Sequence, residues 1–424
     1  MKYGIATLDD LDVGGKVVLC RVDINAPLDP ETGGLRDITR LRGCAPTVRE
    51  LAEKGARVVL LAHQGGDLEY HNYASTEPHA AVMSELVGRP VVFVDDVCGP
   101  AARGLIHGLN DGQILLLDNV RFCGEELTLF ERTLDLSPEE QCKTLIVRKL
   151  APQADLYVCD AFAAAHRSQP TLVGFEQLLP STMGRLFERE YENLARLREE
   201  PARPCVFLLG GTKIQEAFPM MAGALRDGVV DTVLTAGLVA NVMLAAKGVD
   251  IGAPSMEFIR ASQLEKYVEE SKAILAEHGD KVVLPGDLAY AREDAGGQPA
   301  REEIAVVNLP VDRALVDLGH ETVTAYAGII AGCGTVFVNG PAGIFEKTET
   351  EYGTKALWEA MAEASGFSAL GGGDSVAAMN KYGLAGRFDY VCTAGGAMVQ
   401  FLSGKPMPVI EALKAAAKRF AVTA

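Results

Sequence analysis

The sequence lacks the marks of several large protein classes. It has no C-x-x-C and no H-x-x-x-H pair, the close ligand spacing on which structural zinc sites are built, so no such centre is expected. Its nine cysteines (Cys20, Cys44, Cys98, Cys123, Cys142, Cys159, Cys205, Cys333 and Cys392) are odd in number and fall mostly in apolar runs such as VVLC and LYVC. That usage points to buried reduced thiols rather than a disulfide frame. No uninterrupted apolar run is long enough to cross a bilayer, and the opening MKYGIATLDDLDVGG has no basic stretch leading into an apolar one. A cytoplasmic location is therefore expected. Repeats of solenoid length, low-complexity tracts and blocks of like charge are absent too, which argues against repeat arrays and disorder. Neither G-x-x-x-x-G-K-[ST] nor G-x-G-x-x-G after a strand occurs. This counts against P-loop ATPases and, less strongly, against nicotinamide-dependent oxidoreductases.

Positive charge is the scarce sign. Against 57 acidic residues stand 40 lysines and arginines, a formal net charge of −17. A field of that sign repels nucleic acid and anionic membrane, and any phosphate ligand must be held by a local basic cluster. With 424 residues, 48% of them hydrophobic, the chain exceeds the roughly 250–300 residues at which a single core stops growing, so two domains are expected.

Short apolar, β-rich runs alternate with helical-period segments. KVVLCRVDI, ARVVLLAH, PVVFVDD, QILLLDN and DLYVCDAF read as buried strands in the first half; CVFLLG, DTVLTAG, KVVLP, GTVFVNG, SALGGG and FDYVCTAG do so in the second. Continuously apolar strands separated by amphipathic helices predict parallel sheets covered on both faces. The fold class is thus α/β: two doubly wound, Rossmann-like three-layer domains joined by a hinge helix. LPSTMGRLFEREYENLARLREEPARP, with a stripe at Leu186, Tyr191, Leu194 and Leu197 ended by Pro201 and Pro204, reads as the connector. The expected bounds are 1–182, a helix over 183–200, 201–402, and a terminal helical segment 403–424 that packs on either domain.

Ligands of such sheets bind beyond the strands' carboxyl ends. There the first half places Asp23 and Asn25, then His63, then Asn119 and Arg121, then His166 and Arg167, while Arg40 opens the first long helix. Singly, each has an ordinary explanation: a turn cap for Asp23, a satisfied core histidine for His63, a solvated arginine elsewhere. Together, three arginines and a histidine in an acidic chain suit an anion cradle, because the guanidinium fork pairs bidentately with carboxylate or phosphate. In the second half LLGGTK, LTAGLVAN, VNGPAGIFE, LGGGDS and CTAGGAM put glycines at strand ends. Glycine lets backbone approach a ligand, and helix N-termini offer N–H donors to phosphate. Asp374 there suits either a Mg²⁺ ligand or a helix cap.

These motifs, in order from RVDINAPL through LLLDNVRF, DAFAAAHRSQPTLVGF, LGGTK and VNGPAGIFE to GGGDSVAA, resemble the 3-phosphoglycerate kinase family over nearly the whole chain. LLAHQG and TAGLVANVMLAAKG look like its archaeal branch. The resemblance implies reversible ATP-dependent phosphoryl transfer to the carboxylate of 3-phosphoglycerate, with Mg²⁺ accompanying ATP or ADP, in a monomer or small homo-oligomer. It makes Asp23, Asn25, Arg40, His63, Arg121 and Arg167 the acid-binding set. Gly211, Lys213, Gly237, Asn339, Glu346, Gly371, Gly372, Gly373, Asp374 and Ser375 become the nucleotide set, with Asp374 on the metal. Arg40, Lys213 and the Gly373 turn would act on the migrating phosphoryl group.

The sequence departs from the family in one telling loop. Where the family continues from its histidine to an arginine and a proline, this chain reads HQGGDLEY, with Gly66 and Asp67 in their places. Thr212 replaces an alanine, Ala217 a second lysine and Ala394 a glycine, and MPVI lacks the glycine that usually follows its proline. Losing a charge-assisted contact costs about 1.5–3 kcal/mol. Gly66 and Asp67 therefore favour an alternative, a related acyl-phosphate-forming kinase for another, less anionic hydroxy acid. A non-catalytic nucleotide-binding relative is a further alternative, opposed by the retention of Arg40, Lys213 and Asp374.

Overall fold

The computed structural model describes residues 1–66, 73–293 and 299–421; Asp67 of the divergent loop lies outside them. The chain divides into two compact units, Met1–Glu192 with Pro406–Ala424, and Asn193–Lys405.

The first unit is built on β1 (Val17–Val22), β2 (Arg57–Leu61), β3 (Val91–Val94), β4 (Ile114–Leu117), β5 (Leu156–Asp160) and β6 (Ser181–Met183), ordered β3-β4-β2-β1-β5-β6. All its pairings are parallel. Successive residues Val18, Leu19 and Cys20 are all fully buried, as strands covered on both faces must be. Helix Thr39–Glu53 lays Leu41, Cys44, Val48 and Leu51 against Val18, Val58 and Val158. Helix Pro408–Arg419 also packs in this unit, with the Val409 N–H donating to Ala165 O at 3.3 Å and Arg419 to Glu176 O at 3.0 Å.

The second unit carries β7 (Cys205–Leu209), β8 (Thr232–Thr235), β9 (Val282–Val283), β13 (Thr335–Asn339), β14 (Phe367–Gly371) and β15 (Tyr390–Cys392) in the parallel order β15-β14-β13-β7-β8-β9. Between β9 and β13 stand β10 (Asp287–Glu293), β11 (Pro299–Ala305) and β12 (Asp317–Leu318), a separate antiparallel sheet. The doubly wound architecture read from the sequence is present in both units.

Two features escaped that reading. β6 falls within the segment taken as connector, because three residues are too few to show a period. In the small antiparallel sheet the apolar residues are few (Leu288, Ala289 and Leu318 are buried) and polar contacts accompany them: Tyr290 donates to Glu302 at 2.8 Å, and Arg301 pairs with Asp317 at 2.7 Å. Its strand PAREEIA therefore looks like a solvated loop.

The chain passes from one unit to the other within helix Arg185–Arg198. Asp160, at the end of β5, caps it by accepting from the N–H groups of Leu186 and Phe187 at 2.9 and 3.0 Å. Gly184 is required at that turn, since a Cβ there would sit 2.4 Å from the Asp160 carboxylate. Burial raises the Asp160 carboxyl to about 7. All nine cysteines are free; six are buried, and Cys98, Cys123 and Cys142 are partly exposed.

Glu176 is a fully buried carboxyl with no hydrogen-bond partner at either oxygen among the described residues, and burial holds its pKa well above the usual carboxylate value. A folded-state pKa above the unfolded one means that stability falls as pH rises past the unfolded value, by about 1.4 kcal/mol per pH unit until the folded value is reached. Glu176→Gln should remove this loss. Thermal melts at pH 5 and pH 8 should show the variant gaining on the native chain at pH 8; an equal difference at both pH values would contradict the assignment.

Candidate active site

β1 marks the switch point of the first sheet, with β2 added on one side and β5 on the other. Divergent loops at such a point leave a crevice beyond the strand ends. Asp23, buried just after β1, accepts from Arg40 Nη1 at 2.6 Å and from the Asn25 N–H at 3.1 Å. Asn25 Oδ1 in turn accepts from the Gly65 N–H at 2.9 Å, and Arg121 Nη1 donates to the Gly65 carbonyl. Gly65, at φ +79°, adopts the left-handed conformation that glycine tolerates best. The loop after β2 is thereby pinned on both sides. Asn119 completes the clasp, donating to the carbonyls of Gln64 and Ala74 at 2.8 and 2.9 Å and accepting from the Arg121 N–H at 3.1 Å.

Four of the six expected acid-site residues, Asp23, Asn25, Arg40 and Arg121, are thus linked through one cluster, and His63 feels the charges of Arg121, Arg40 and Arg167. Arg167 donates to Thr128 Oγ1 at 2.9 Å and lies 3.6 Å from a Glu131 carboxylate oxygen. His63 is buried, which disfavours its charged form. The guanidinium groups of Arg21, Arg121, Arg40 and Arg167 reinforce this, so its pKa lies well below the ordinary value. It is a neutral imidazole at physiological pH.

Sequence reasoning missed the residues behind this cluster. Arg21, 1% exposed, donates to Thr171 Oγ1 at 3.0 Å and to Val22 O at 2.7 Å, and its Nη2 lies 3.0 Å from His63 Nδ1. Thr171 is bound by Glu126, whose carboxyl is pushed up to about 7 by burial and pulled back by Arg21. An arginine inside the apolar run VVLCRV was a readable signal. GEE, which contains Glu126, reads as a solvated acidic loop and carried none.

In the second unit the switch point falls between β7 and β13. The turns after β7, β8 and β13 are stitched together by backbone: the Gly210 N–H to Asn339 O at 2.9 Å, Gly211 to Pro341 O at 2.7 Å, Gly237 to Ala342 O at 3.1 Å. The glycines here serve mostly this close packing. A Cβ on Gly340 would lie 2.2 Å from Gly210 O, and one on Gly371 2.3 Å from Met398 Sδ. Gly373 differs, since a Cβ there meets nothing within 4 Å. It begins helix Gly373–Lys381, beside open space.

Lys213 Nζ lies 3.2 Å from Asp374 Oδ2, both half-exposed. Lys213, Asn339, Gly372, Asp374 and Ser375 line one small recess, although the Ser375 hydroxyl already accepts from the Gly340 N–H at 2.8 Å. Next to it opens a cleft of about 510 Å³, lined by Gly211, Gly237, Leu238, Phe345, Glu346 and Asp374 among others. Its volume suits a nucleotide-sized ligand. Asn241, at the end of LTAGLVAN, completes its wall with Ser255 and Phe258, which come from a segment not singled out in the sequence. Ala217, where the family resemblance leads one to expect a second lysine, is 2% exposed, so an ammonium there would have to be buried.

An arginine-lined strand edge in one doubly wound unit and a glycine-rich cleft in the other define the class, a two-unit α/β phosphotransferase. The phosphoglycerate kinase family model matches residues 8–405. The phosphoglycerate kinase of Methanothermobacter thermautotrophicus is 41% identical over 414 residues, 98% of each chain. That of Methanococcus maripaludis is 41% identical over 408 residues, 96% of this chain and 97% of that one. The crystal structure of phosphoglycerate kinase from Pyrococcus horikoshii OT3 superposes with a TM-score of 0.83 at 37% identity, covering 98% of this chain and 100% of that one. The chain belongs to the phosphoglycerate kinase family, kinases that use ATP and transfer phosphate to a carboxylate.

The two kinds of glycine give opposite expectations. Gly340→Ala meets both a backbone oxygen and a φ of +86°, and should destabilise by about 2 kcal/mol or more. Gly373→Ala should stay within about 0.5 kcal/mol of the native chain. Urea denaturation checks both, and equal losses would refute the distinction.

Proposed function

We propose that this chain catalyses reversible phosphoryl transfer between ATP and the carboxylate of 3-phosphoglycerate, giving 1,3-bisphosphoglycerate and ADP, in the cytoplasm. The observation that carries the reading is the convergence of Arg40, Arg121 and a neutral His63 at the strand ends of an otherwise acidic protein. Arg167, whose charge His63 also feels, supports it.

An ionised carboxylate needs no general base, so catalysis reduces to positioning and cancellation of charge. In this reading Asp23 holds Arg40 toward the acid by their 2.6 Å pair. Arg121 and Arg167 bind the acid's negative ends, and Asn25 keeps the Gly65 turn in place. Lys213 meets the migrating phosphoryl group with its ammonium. Gly371, Gly372, Gly373 and Ser375 form the turn whose N–H groups face nucleotide phosphate at the start of helix Gly373–Lys381, where Gly373 leaves room for it. Gly211, Gly237, Asn339 and Glu346 frame the rest of the nucleotide.

Asp374 offers one half-exposed carboxylate, and no group of three or more His, Cys, Asp or Glu able to hold a metal occurs among the described residues. That donor set fits a magnesium ion which arrives on the nucleotide rather than one held in a dedicated cage. Bound there, magnesium supplies charge neutralisation to the phosphates.

Gly66 favours a second reading, in which the acid is a less anionic hydroxy acid. It is partly buried just beyond Gly65 and brings no cation to a loop where relatives place an arginine.

A coupled assay for ADP release with 3-phosphoglycerate beside glycerate tests both. Turnover of 3-phosphoglycerate is expected, falling roughly 100-fold or more in Lys213→Met. Gly66→Arg should lower the KM for 3-phosphoglycerate about tenfold. Turnover of glycerate alone would establish the second reading, and no turnover with any hydroxy acid would sink both.

A further inference from the structure

We infer that Glu126 and Thr171 are positioning residues which, through Arg21, hold His63 as a neutral imidazole with its proton on Nε2. This deepens the acid-site reading above and rests on it.

A guanidinium has N–H groups and no acceptor. The 3.0 Å contact from Arg21 Nη2 to His63 Nδ1 therefore requires that Nδ1 accept. A ring that accepts at Nδ1 and is neutral carries its hydrogen on Nε2. Arg21 must itself be held, because it is buried and its other donors need acceptors. Val22 O takes one at 2.7 Å, and Thr171 Oγ1 takes Nε at 3.0 Å.

A threonine hydroxyl has one proton. Here Glu126 Oε2 accepts it at 3.0 Å, while the other Glu126 oxygen accepts the Thr171 N–H. With that proton committed, the Thr171 oxygen faces Arg21 as an acceptor only. Backbone fixes Thr171 further, since Tyr157 Oη donates to its carbonyl at 2.7 Å. Arg21 can only donate, to Thr171 and to His63, and with Glu126 ionised the Thr171 hydroxyl donates to Glu126. None of Glu126, Thr171 or Arg21 needs to touch the acid for this to matter. Together they make the ring a donor at Nε2 rather than an acceptor, which is the polarity a carboxylate or phosphate oxygen requires.

Glu126→Gln keeps the shape of the side chain but turns one oxygen into an N–H donor, which opposes the Thr171 proton. Thr171→Val keeps the volume and the N–H but removes the hydroxyl. The full chain, labelled with ¹⁵N, is examined by long-range ¹H–¹⁵N correlation at His63, alongside steady-state kinetics with 3-phosphoglycerate and ATP. The native chain should show the proton on Nε2 only. Both variants should show mixed tautomers and a KM for the acid raised roughly tenfold, with the KM for ATP within about twofold. Thr171→Ser should restore both readouts. If Glu126→Gln does not fold, Thr171→Val and its serine rescue decide alone. A native ring protonated on Nδ1, or variants with the native tautomer and acid KM, would overturn the inference. Should the native chain not turn over 3-phosphoglycerate, the functional reading fails, and the spectrum still judges the tautomer.

Discussion

Arg21 is a guanidinium buried in the central strand of the first sheet, and accommodating that charge sets the terms for everything around it. An unpaired buried ion costs several kcal/mol, so partners must converge on it. Val22 O, the Thr171 hydroxyl and His63 Nδ1 do so, with the Glu126 carboxyl behind them. Each belongs to a different stretch of chain, brought together by the order β4-β2-β1-β5. Burial, reinforced by the same positive field, keeps His63 neutral. It also explains why an acidic protein can present an anion-binding edge: the arginines are concentrated locally, and Arg40 is tied down by Asp23.

The second unit meets its demands by other means. Among the described residues its cleft has no comparable buried arginine; it is shaped by backbone. Gly210, Gly237 and Gly340 allow three turns to lie against one another at distances that leave no room for a Cβ. Rigid main chain around a cavity of about 510 Å³ is well suited to a nucleotide, whose phosphates are read by N–H groups as much as by side chains. Lys213 and Asp374, 3.2 Å apart and half-exposed, are the charged pair beside that cleft. Side-chain charge organises one unit and glycine packing the other, the contrast that the proposed acid and nucleotide sites would call for.

Strands such as KVVLCRVDI and GTVFVNG were legible because being covered on both faces makes them apolar without interruption. Residues at their ends, Asp23, His63 and Arg121, were legible because parallel sheets put function at carboxyl ends. β6 and the sheet of β10–β12 were not, one being too short for a period and the other having few apolar residues beside charged pairs such as Arg301 with Asp317. Among the glycines, sequence alone could not separate Gly373, which faces open space, from Gly340 and Gly371, which are packed against neighbours.

Taken by itself, the sequence determined the two doubly wound sheets, the family, and the residue types available for binding an acid and a nucleotide. These follow from local pattern, since hydrophobic period and strand-end motifs are properties of contiguous residues. Only the tertiary structure decided which of those residues act on one another. Glu126 and Thr171 are separated by 45 residues and Arg21 from His63 by 42. Their coupling depends on which hydrogen-bond donors and acceptors meet in the buried interior, and that is set by strand order rather than by neighbours in the chain.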